Sequence, residues 1–391
     1  MIKLPFEIIR LLWNCGNNRI EHLDGFAKEF CNATFDIVST SPFVIQANNT
    51  NILLTRDEND PSIENYQYAV LTNKKPRKSD IIKGNIISIR WLKHPNFKNL
   101  QPNEIVASWR GKFLYKKENI QESILGLRAP QLGAIYAFMS KAQIHHGRNI
   151  IVMPTGTGKT ETMLSILIAN QCPKVLITVP SDALRDQISN KFLTLGILPE
   201  FGIVASDCNY PIVGVVKEGM DYNGWYTLIE KSNVIITTMP LITNCESAII
   251  DLFKEKISHL FVDEAHHSEA KTWSEFIDSF NDEKVTLFTA TPFRNDNRRL
   301  RGEFIYNFSL KEAQSQGYYK PIKFIPIREY DLAKADKCIA EVAVNQLRSD
   351  LENEYDHILM ARCSTKQRAK EIMEVYQQYP DLNPVMVFSS M

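Results

Sequence analysis

The 391-residue sequence has no net charge, no C-x-x-C pair and no apolar run long enough to cross a bilayer. Each absence removes a class of protein. Because 45 basic residues balance 45 acidic ones, no global field draws the chain to nucleic acid or to a membrane surface, and any such binding must come from local patches. Seven cysteines (Cys15, Cys31, Cys172, Cys208, Cys245, Cys338 and Cys363) are scattered singly, and the odd count disfavours a disulfide framework while the spacing offers no zinc module. The opening MIKLPFEIIRLLW is too short to span a membrane and is interrupted by Glu7 and Arg10. We read a cytoplasmic protein with reduced thiols and no membrane partner. What remains is ordinary globular material, with 44% apolar and 23% charged residues over a length that accommodates two or three domains.

The most informative stretch is Asn149 to Thr160, NIIVMPTGTGKT. Ile150 to Met153 reads as a short buried strand, a proline and two glycines turn the chain, and an amphipathic run follows to about Asn170. A loop carrying Gly156 and Gly158 lets backbone N–H groups approach an anion, and the helix behind it adds its positive end. Thr155, Gly156, Thr157, Gly158, Lys159 and Thr160 are therefore a candidate phosphate cradle, with Lys159 reaching the β and γ phosphates of a nucleotide and Thr160 offering a hydroxyl to Mg²⁺. The P-loop pattern places Gly where this chain has Met153.

Residues 1–118 read as a mixed α/β accessory domain of unassigned role. Residues 4–14 and 19–31 have helical spacing, while Phe35 to Val38, Ile52 to Thr55, Tyr68 to Leu71 and Ile86 to Trp91 read as strands. No repeat or low-complexity segment occurs there. Two basic clusters stand out: Lys74, Lys75, Arg77 and Lys78 around Pro76, and Arg90, Trp91, Lys93 and His94. Either could grip a phosphate backbone, although solvated loop charge for the first and an edge strand for the second are the plainer readings.

From residue 119 onward the rhythm changes. Arg128 and Gln131 open a helix-like run through Phe138, and the Gln131 amide carries the donor and acceptor faces that the Hoogsteen edge of adenine requires. Beyond the glycine-rich loop, Lys174 to Val179, Val213 to Val216, Asn233 to Thr238, Ser258 to Val262 and Lys284 to Thr289 are apolar strands alternating with helical stretches, the pattern of a parallel sheet covered on both faces. In such sheets ligands sit at the carboxyl ends of the strands. Asp263, Glu264 and His266 fall at one such end: Asp263 can hold the Mg²⁺ shared with Thr160, and Glu264 can orient and deprotonate the water that attacks the γ-phosphate. His267 is a bystander, because adjacent histidines point apart and cannot share a zinc ion. Thr289 and Thr291, in FTATPFR at the next strand end, can hydrogen-bond toward His266 and relay the state of the phosphate.

MPTGTGKT, DEAH, TATPFR and the Arg128/Gln131 element, in this order, resemble motifs I, II, III and the Q-like motif of superfamily 2 helicases and translocases, closest to the branch of the type III restriction enzyme motor subunits. In that branch the first P-loop position is often not glycine, so Met153 fits. The resemblance implies an α/β fold with a RecA-like P-loop parallel sheet at 119–310, preceded by the accessory domain at 1–118. At 311–391 it implies a linking segment, FSLKEAQSQGYYKP from Phe308, and the start of a second RecA-like domain. There Ile322 to Ile327, His357 to Ala361 and Pro384 to Phe388 are expected strands, with helices to about Leu351 and from Thr365 to Tyr376, and Arg362 to Thr365 fall where motif IV would lie.

By the same resemblance Lys159, Asp263, Glu264 and His266 are catalytic, and Arg128 and Gln131 join the P-loop in binding ATP. VPSDALRDQ and ITTMP, through Pro180, Ser181, Arg185, Thr237 and Thr238, hold the backbone of one nucleic-acid strand. Ser181 can cap a helix whose free N–H groups face a phosphate, though packing or capping alone explains each of these residues equally well. Arg294, Arg298, Arg299 and Arg301 read as a solvated basic segment. Motifs V and VI have no counterpart before Met391, so the expectation is a fragment of a DNA/RNA-dependent ATPase, hydrolysing ATP poorly by itself. DNA is the expected track over RNA. An ATP-gated nucleic-acid sensor, with a protein partner in a bacterial defence or repair complex, is the alternative.

Overall fold

The computed structural model describes residues 2–31, 33–83, 85, 87–141, 147–267, 271–291, 300–320 and 323–387. The chain forms two compact units, Met1–Tyr319 and Lys320–Met391. In the first, β1 (Glu7–Cys15) and β2 (Asn18–Phe26) form an antiparallel hairpin. A five-stranded sheet follows, ordered β3 (Asp36–Thr40), β4 (Phe43–Ala47), β5 (Thr50–Thr55), β6 (Tyr68–Thr72) and β7 (Ser88–Lys93), with β5 and β6 parallel and the other neighbours antiparallel. Then come β8 (Asn149–Val152), β9 (Val175–Val179), β10 (Ile212–Val215), β11 (Val234–Thr238), β12 (His259–Val262), β13 (Val285–Thr289) and β14 (Glu303–Asn307). These seven and the hairpin make one nine-stranded sheet in the order β1-β2-β10-β11-β9-β12-β13-β8-β14.

The seven later strands are mutually parallel. Their sequences are apolar end to end because both faces are covered: every residue of β8, β9, β10, β11 and β13 is buried. Each fully buried Ile, Leu, Val or Phe contributes about 1.5–3 kcal/mol, so the sheet centre is the most heavily stabilised part of the molecule. Parallel order also sets the carboxyl ends of β8, β9, β11, β12 and β13 along one edge, where the loops with chemistry emerge.

The helices expected over 4–14 and 19–31 are strands. Ile20, Leu23, Phe26 and Phe30 fall at helical spacing, but irregularities between Ile8 and Ile9 and between Leu11 and Trp13 interrupt the period-2 alternation that would have marked the hairpin. The hairpin belongs to the large sheet: β2 runs antiparallel to β10, pairing Ile212 with His22 and Val215 with Arg19. Its tip is fastened to the loop after β10, where Asn18 Oδ1 accepts from the N–H groups of Lys217 at 2.8 Å and Glu218 at 3.1 Å. Gly16, at φ +59°, supplies the turn, and a Cβ there would stand 1.8 Å from Glu218 Oε1. The expected division at residue 118 is thus crossed by sheet hydrogen bonds.

The two basic clusters of the N-terminal region differ: in the first only Lys74 is paired while Lys75, Arg77 and Lys78 are exposed, whereas the cations of the second are paired. Lys74 pairs with Asp80, Arg90 with Glu58 and Lys93 with Glu64. Trp91 is 1% exposed, donates its indole N–H to Pro5 O and packs on Phe30, so it is core and not a stacking platform. The second unit contains the helices Leu332–Glu352 and Lys366–Tyr376, joined by Arg368 to Asp336. The strands expected at 323–327, 357–361 and 384–387 do not form among the described residues. Apolar character gives a segment β preference, but a strand exists only when a neighbour takes its N–H and C=O groups; Ile358 is 90% and Met360 85% exposed. Phe388 lies outside the described residues. No described helix is long and apolar enough to cross a membrane.

Candidate functional site

The loop after β8 turns at Gly156 (φ +83°) and Gly158 (φ +96°), and the helix Lys159–Ala169 begins at once. At Gly158 only glycine fits. Its φ is left-handed, and a Cβ would lie 2.1 Å from Gln131 Nε2. Met153 is fully buried, with Thr162 Oγ1 3.6 Å from its sulfur, so the departure from the glycine pattern turns into the core and leaves the loop's outer face open. Thr155, Gly156, Gly158, Lys159 and Thr160 line a cavity of about 820 Å³, a volume suited to a nucleotide. Thr157 is not among the lining residues. Its buried hydroxyl donates to Pro154 O at 2.6 Å and holds the turn from within.

The sheet order β12-β13-β8 places the end of β12 two strands, roughly 10 Å, from the P-loop. Lysine and glutamate side chains close that gap: Lys159 Nζ lies 2.8 Å from Glu264 Oε1. Asp263 N donates to Thr178 O and Asp263 Oδ1 accepts from Glu264 N, fixing both carboxylates at the cavity wall. Glu264 sits at φ +50°, a left-handed conformation that costs a non-glycine residue about 1 kcal/mol. Its Oε2 is buried and accepts no hydrogen bond, with His266 Nδ1 3.3 Å away. His266 Nδ1 also stands 3.1 Å from Thr289 Oγ1. The Thr289 hydroxyl directs its hydrogen to Thr291 O at 2.9 Å, so His266 Nδ1 is the donor in that contact. Of the two threonines expected to face His266, the geometry brings Thr289 to it, and Thr291 meets the Thr289 hydroxyl through its backbone.

Burial, then the neighbouring Glu264, pushes the Asp263 carboxyl up to about 6. Two carboxylates and one lysine leave a net negative charge beside Thr160, which fits a cation. The sign for stability follows: a carboxyl whose folded value exceeds its unfolded 3.8 binds a proton more tightly when folded, so its ionisation costs stability as pH rises from about 4 to about 6, and the full cost persists above. Asp263→Asn is expected to raise the melting temperature of the nucleotide-free protein, by about 2–3 kcal/mol of stability at pH 8, with the difference from the parent closing toward pH 4. Thermal melts across that range check it; equal melting at pH 8 refutes it.

Arg128 and Gln131 both line the cavity, and both are held by backbone. Gln131 Oε1 accepts from Arg128 N at 2.7 Å and its Nε2 donates to Gly158 O at 3.4 Å. Arg128 Nη1 donates to Gly156 O at 2.9 Å. Sequence reasoning missed the opposite wall, where Glu118, Ile124 and Leu125 come from a loop closed by bridges between Lys117 and Leu127 and between Asn119 and Ile124. It also missed Lys191, which pairs with Glu161 at 2.5 Å on the far side. A loop without periodicity carries no signal for such a wall.

Pro180 and Ser181 follow β9, whose last residue Val179 pairs with Thr238 of β11, so Pro180, Ser181, Thr237 and Thr238 gather at the carboxyl ends of two adjacent strands, while Arg185 lies on the helix that follows. Ser181 occupies the N-cap position of the helix Asp182–Thr194, yet its hydroxyl makes no capping bond and the expected cap is absent. Arg185 is only 5% exposed in its side chain, paired with Asp182 at 2.5 Å and Asp186 at 3.2 Å. Thr237 is fully buried, with an Oγ1 that has no hydrogen-bond partner. Arg294, Arg298 and Arg299 lie outside the described residues; Arg301 pairs with Asp278 and Asp282.

Residues 124–294 match the family described as the type III restriction enzyme, res subunit. No curated protein matches the chain. Among solved structures, the UvsW helicase from bacteriophage T4 is 15% identical over 51% of this chain and 63% of that one, with a TM-score of 0.33. The Hef helicase domain of Pyrococcus furiosus is 20% identical over 63% and 53%, with a TM-score of 0.35. The type ISP restriction-modification enzyme LlaGI, solved with a DNA substrate mimic, is 20% identical over 57% and 22%, also with a TM-score of 0.35. The chain spans less than two thirds of each. Residues 124–294 are therefore similar to the type III restriction enzyme, res subunit family, the branch that the motifs of this segment resemble.

Proposed function

We propose that this chain is an ATP-dependent motor that moves along DNA, a helicase or translocase. The observation that carries the proposal is the continuous side-chain path Lys159–Glu264–His266–Thr289, which connects a phosphate-binding loop to a strand end two places away in the chain of motifs. Such a path can transmit the state of a γ-phosphate, which a simple nucleotide store has no use for. Backbone N–H groups of residues 156–160 and the Lys159 ammonium would hold the phosphates, and Thr160 and Asp263 would hold Mg²⁺, which when bound draws negative charge from the phosphate oxygens. Glu264 would take a proton from the attacking water, its Oε2 lacking any hydrogen-bond donor of its own.

DNA is the proposed track because residues 124–294 match a restriction enzyme family. On the strand-contact edge, Ser181 is the better phosphate contact, exposed at the start of a 13-residue helix with its hydroxyl uncommitted to a cap. Arg185 would have to exchange Asp182 and Asp186 for a phosphate. We propose further that residues 311–391 supply a linker and the opening of a second RecA-like domain, and residues 1–118 an accessory domain. The test is ATP turnover with Mg²⁺ alone, with single-stranded DNA, and with RNA of the same length, followed by strand displacement. Turnover raised several-fold by DNA, with displacement or translocation, is expected. Turnover indifferent to nucleic acid overturns the motor; stimulation without movement replaces it with an ATP-gated sensor.

A further inference from the structure

The segment that follows β14 folds back onto the nucleotide cavity through two adjacent tyrosines. Ser309 and Glu312 form a capping box that starts the helix Leu310–Ser315, and the N–H groups of Tyr318 and Tyr319 return to Ala313 O at 2.9 and 3.3 Å. Tyr318 then touches three places at once. Its ring lies 5.5 Å from the Arg128 guanidinium carbon, its hydroxyl donates to Glu118 Oε1 at 2.9 Å, and the same oxygen accepts from Ala129 N at 3.2 Å. The hydroxyl of Tyr319 lies against the P-loop, 3.1 Å from the point a Cβ on Gly156 would occupy. Arg128 is itself hydrogen-bonded to Gly156 O.

We propose that Tyr318 is a positioning residue that couples occupancy of the cavity to the order of residues 309–319. Glu118 and Arg128 both line the cavity, and Tyr318 is the group that joins them. A nucleotide that fixes Glu118, Arg128 and the Gly156 backbone fixes the two anchors of Tyr318, and the segment behind it becomes more ordered. By linkage, anchoring the segment favours the nucleotide by the same factor. The coupling is local, since every partner lies within one compact unit, and the chain continues from Tyr319 directly into Lys320. Phe308 packs edge-on against Tyr318 at 6.2 Å between ring centroids, which holds the ring whether or not the hydroxyl is bonded. This inference rests on reading the cavity as a nucleotide site.

The experiment is amide hydrogen exchange of residues 313–319 in the full chain with and without an ATP analogue that is not hydrolysed, in the parent, Tyr318→Phe and Tyr318→Ala, beside a direct affinity measurement with the same analogue. In the parent, nucleotide is expected to slow exchange at the Tyr318 and Tyr319 amides. Tyr318→Ala is expected to abolish that change and to weaken affinity roughly 5-fold or more, within the usual range of such couplings. Tyr318→Phe, which keeps the ring and removes both hydroxyl bonds, is expected to fall between, and it carries the test if the alanine variant does not fold. A merely structural tyrosine would speed exchange equally with and without nucleotide, and that outcome overturns the proposal, as does unchanged affinity and coupling in both variants. Failure of the parent to bind the analogue at all would instead overturn the nucleotide reading of the cavity.

Discussion

Lys159→Ala is expected to remove detectable nucleotide binding, a loss of roughly a hundredfold or more in affinity. The side chain is 8% exposed and sets its ammonium in the cavity at the end of the phosphate loop, against Glu264. Charge-assisted hydrogen bonds of that kind are worth about 1.5–3 kcal/mol each, and a lysine between phosphates makes more than one. The substitution has a second consequence peculiar to this geometry. Without Lys159, Glu264 loses its ion-pair partner 2.8 Å away, and the neighbouring Asp263 and Glu264 carboxylates are left without that cation. The resulting field repels the phosphates that the loop amides would otherwise attract. Titration of a fluorescent ATP analogue in the presence of Mg²⁺ checks the result, with circular dichroism showing the fold intact. Affinity within threefold of the parent would refute the assignment of this lysine.

That residue was legible in the sequence because its constraint is local. Gly156 and Gly158 are dictated by left-handed backbone, Lys159 follows at the first turn of a helix, and β8 precedes them as an uninterrupted apolar run. The parallel strands were equally legible, since burial on both faces leaves no polar alternation to misread. Asp263, Glu264, His266 and Thr289 could be placed at strand ends for the same reason, and the structure brings them within hydrogen-bonding reach.

The misreadings have physical causes of a different kind. The hairpin β1–β2 was hidden by its own irregularities, and its allegiance to the large sheet depends on Asn18 meeting a loop 199 residues away. Tyr318 meets Ala129 across 189 residues and Glu118 across 200, distances at which no local pattern exists. In residues 323–387 the apolar segments have strand-like composition, but composition cannot provide the neighbouring strand that makes a ladder. Ser181 was correctly located at a helix start and wrongly expected to cap it. The N-cap preference of serine is a tendency of the residue type, and here the hydroxyl is left uncommitted on the edge proposed to meet a phosphate backbone.

Glu264→Gln separates binding from chemistry. The substitution keeps the shape of the side chain and the backbone at φ +50°, so the N–H bond to Asp263 Oδ1 survives. It removes the group that can accept a proton from water, and loss of a positioned base typically costs 10²–10⁴ in rate. Nucleotide affinity should not fall with it. In the parent, phosphate must compete with the Glu264 carboxylate for Lys159, whereas a neutral amide competes less, so affinity is expected to equal or exceed that of the parent. Rapid-quench measurement of a single turnover, with affinity measured on the same preparation, reads both effects. The expected signature is turnover down by two orders of magnitude or more with an unchanged or lower dissociation constant. Equal turnover would eliminate Glu264 as the base, and weakened binding would mean that the Lys159–Glu264 pair organises the phosphate loop instead of competing with its ligand.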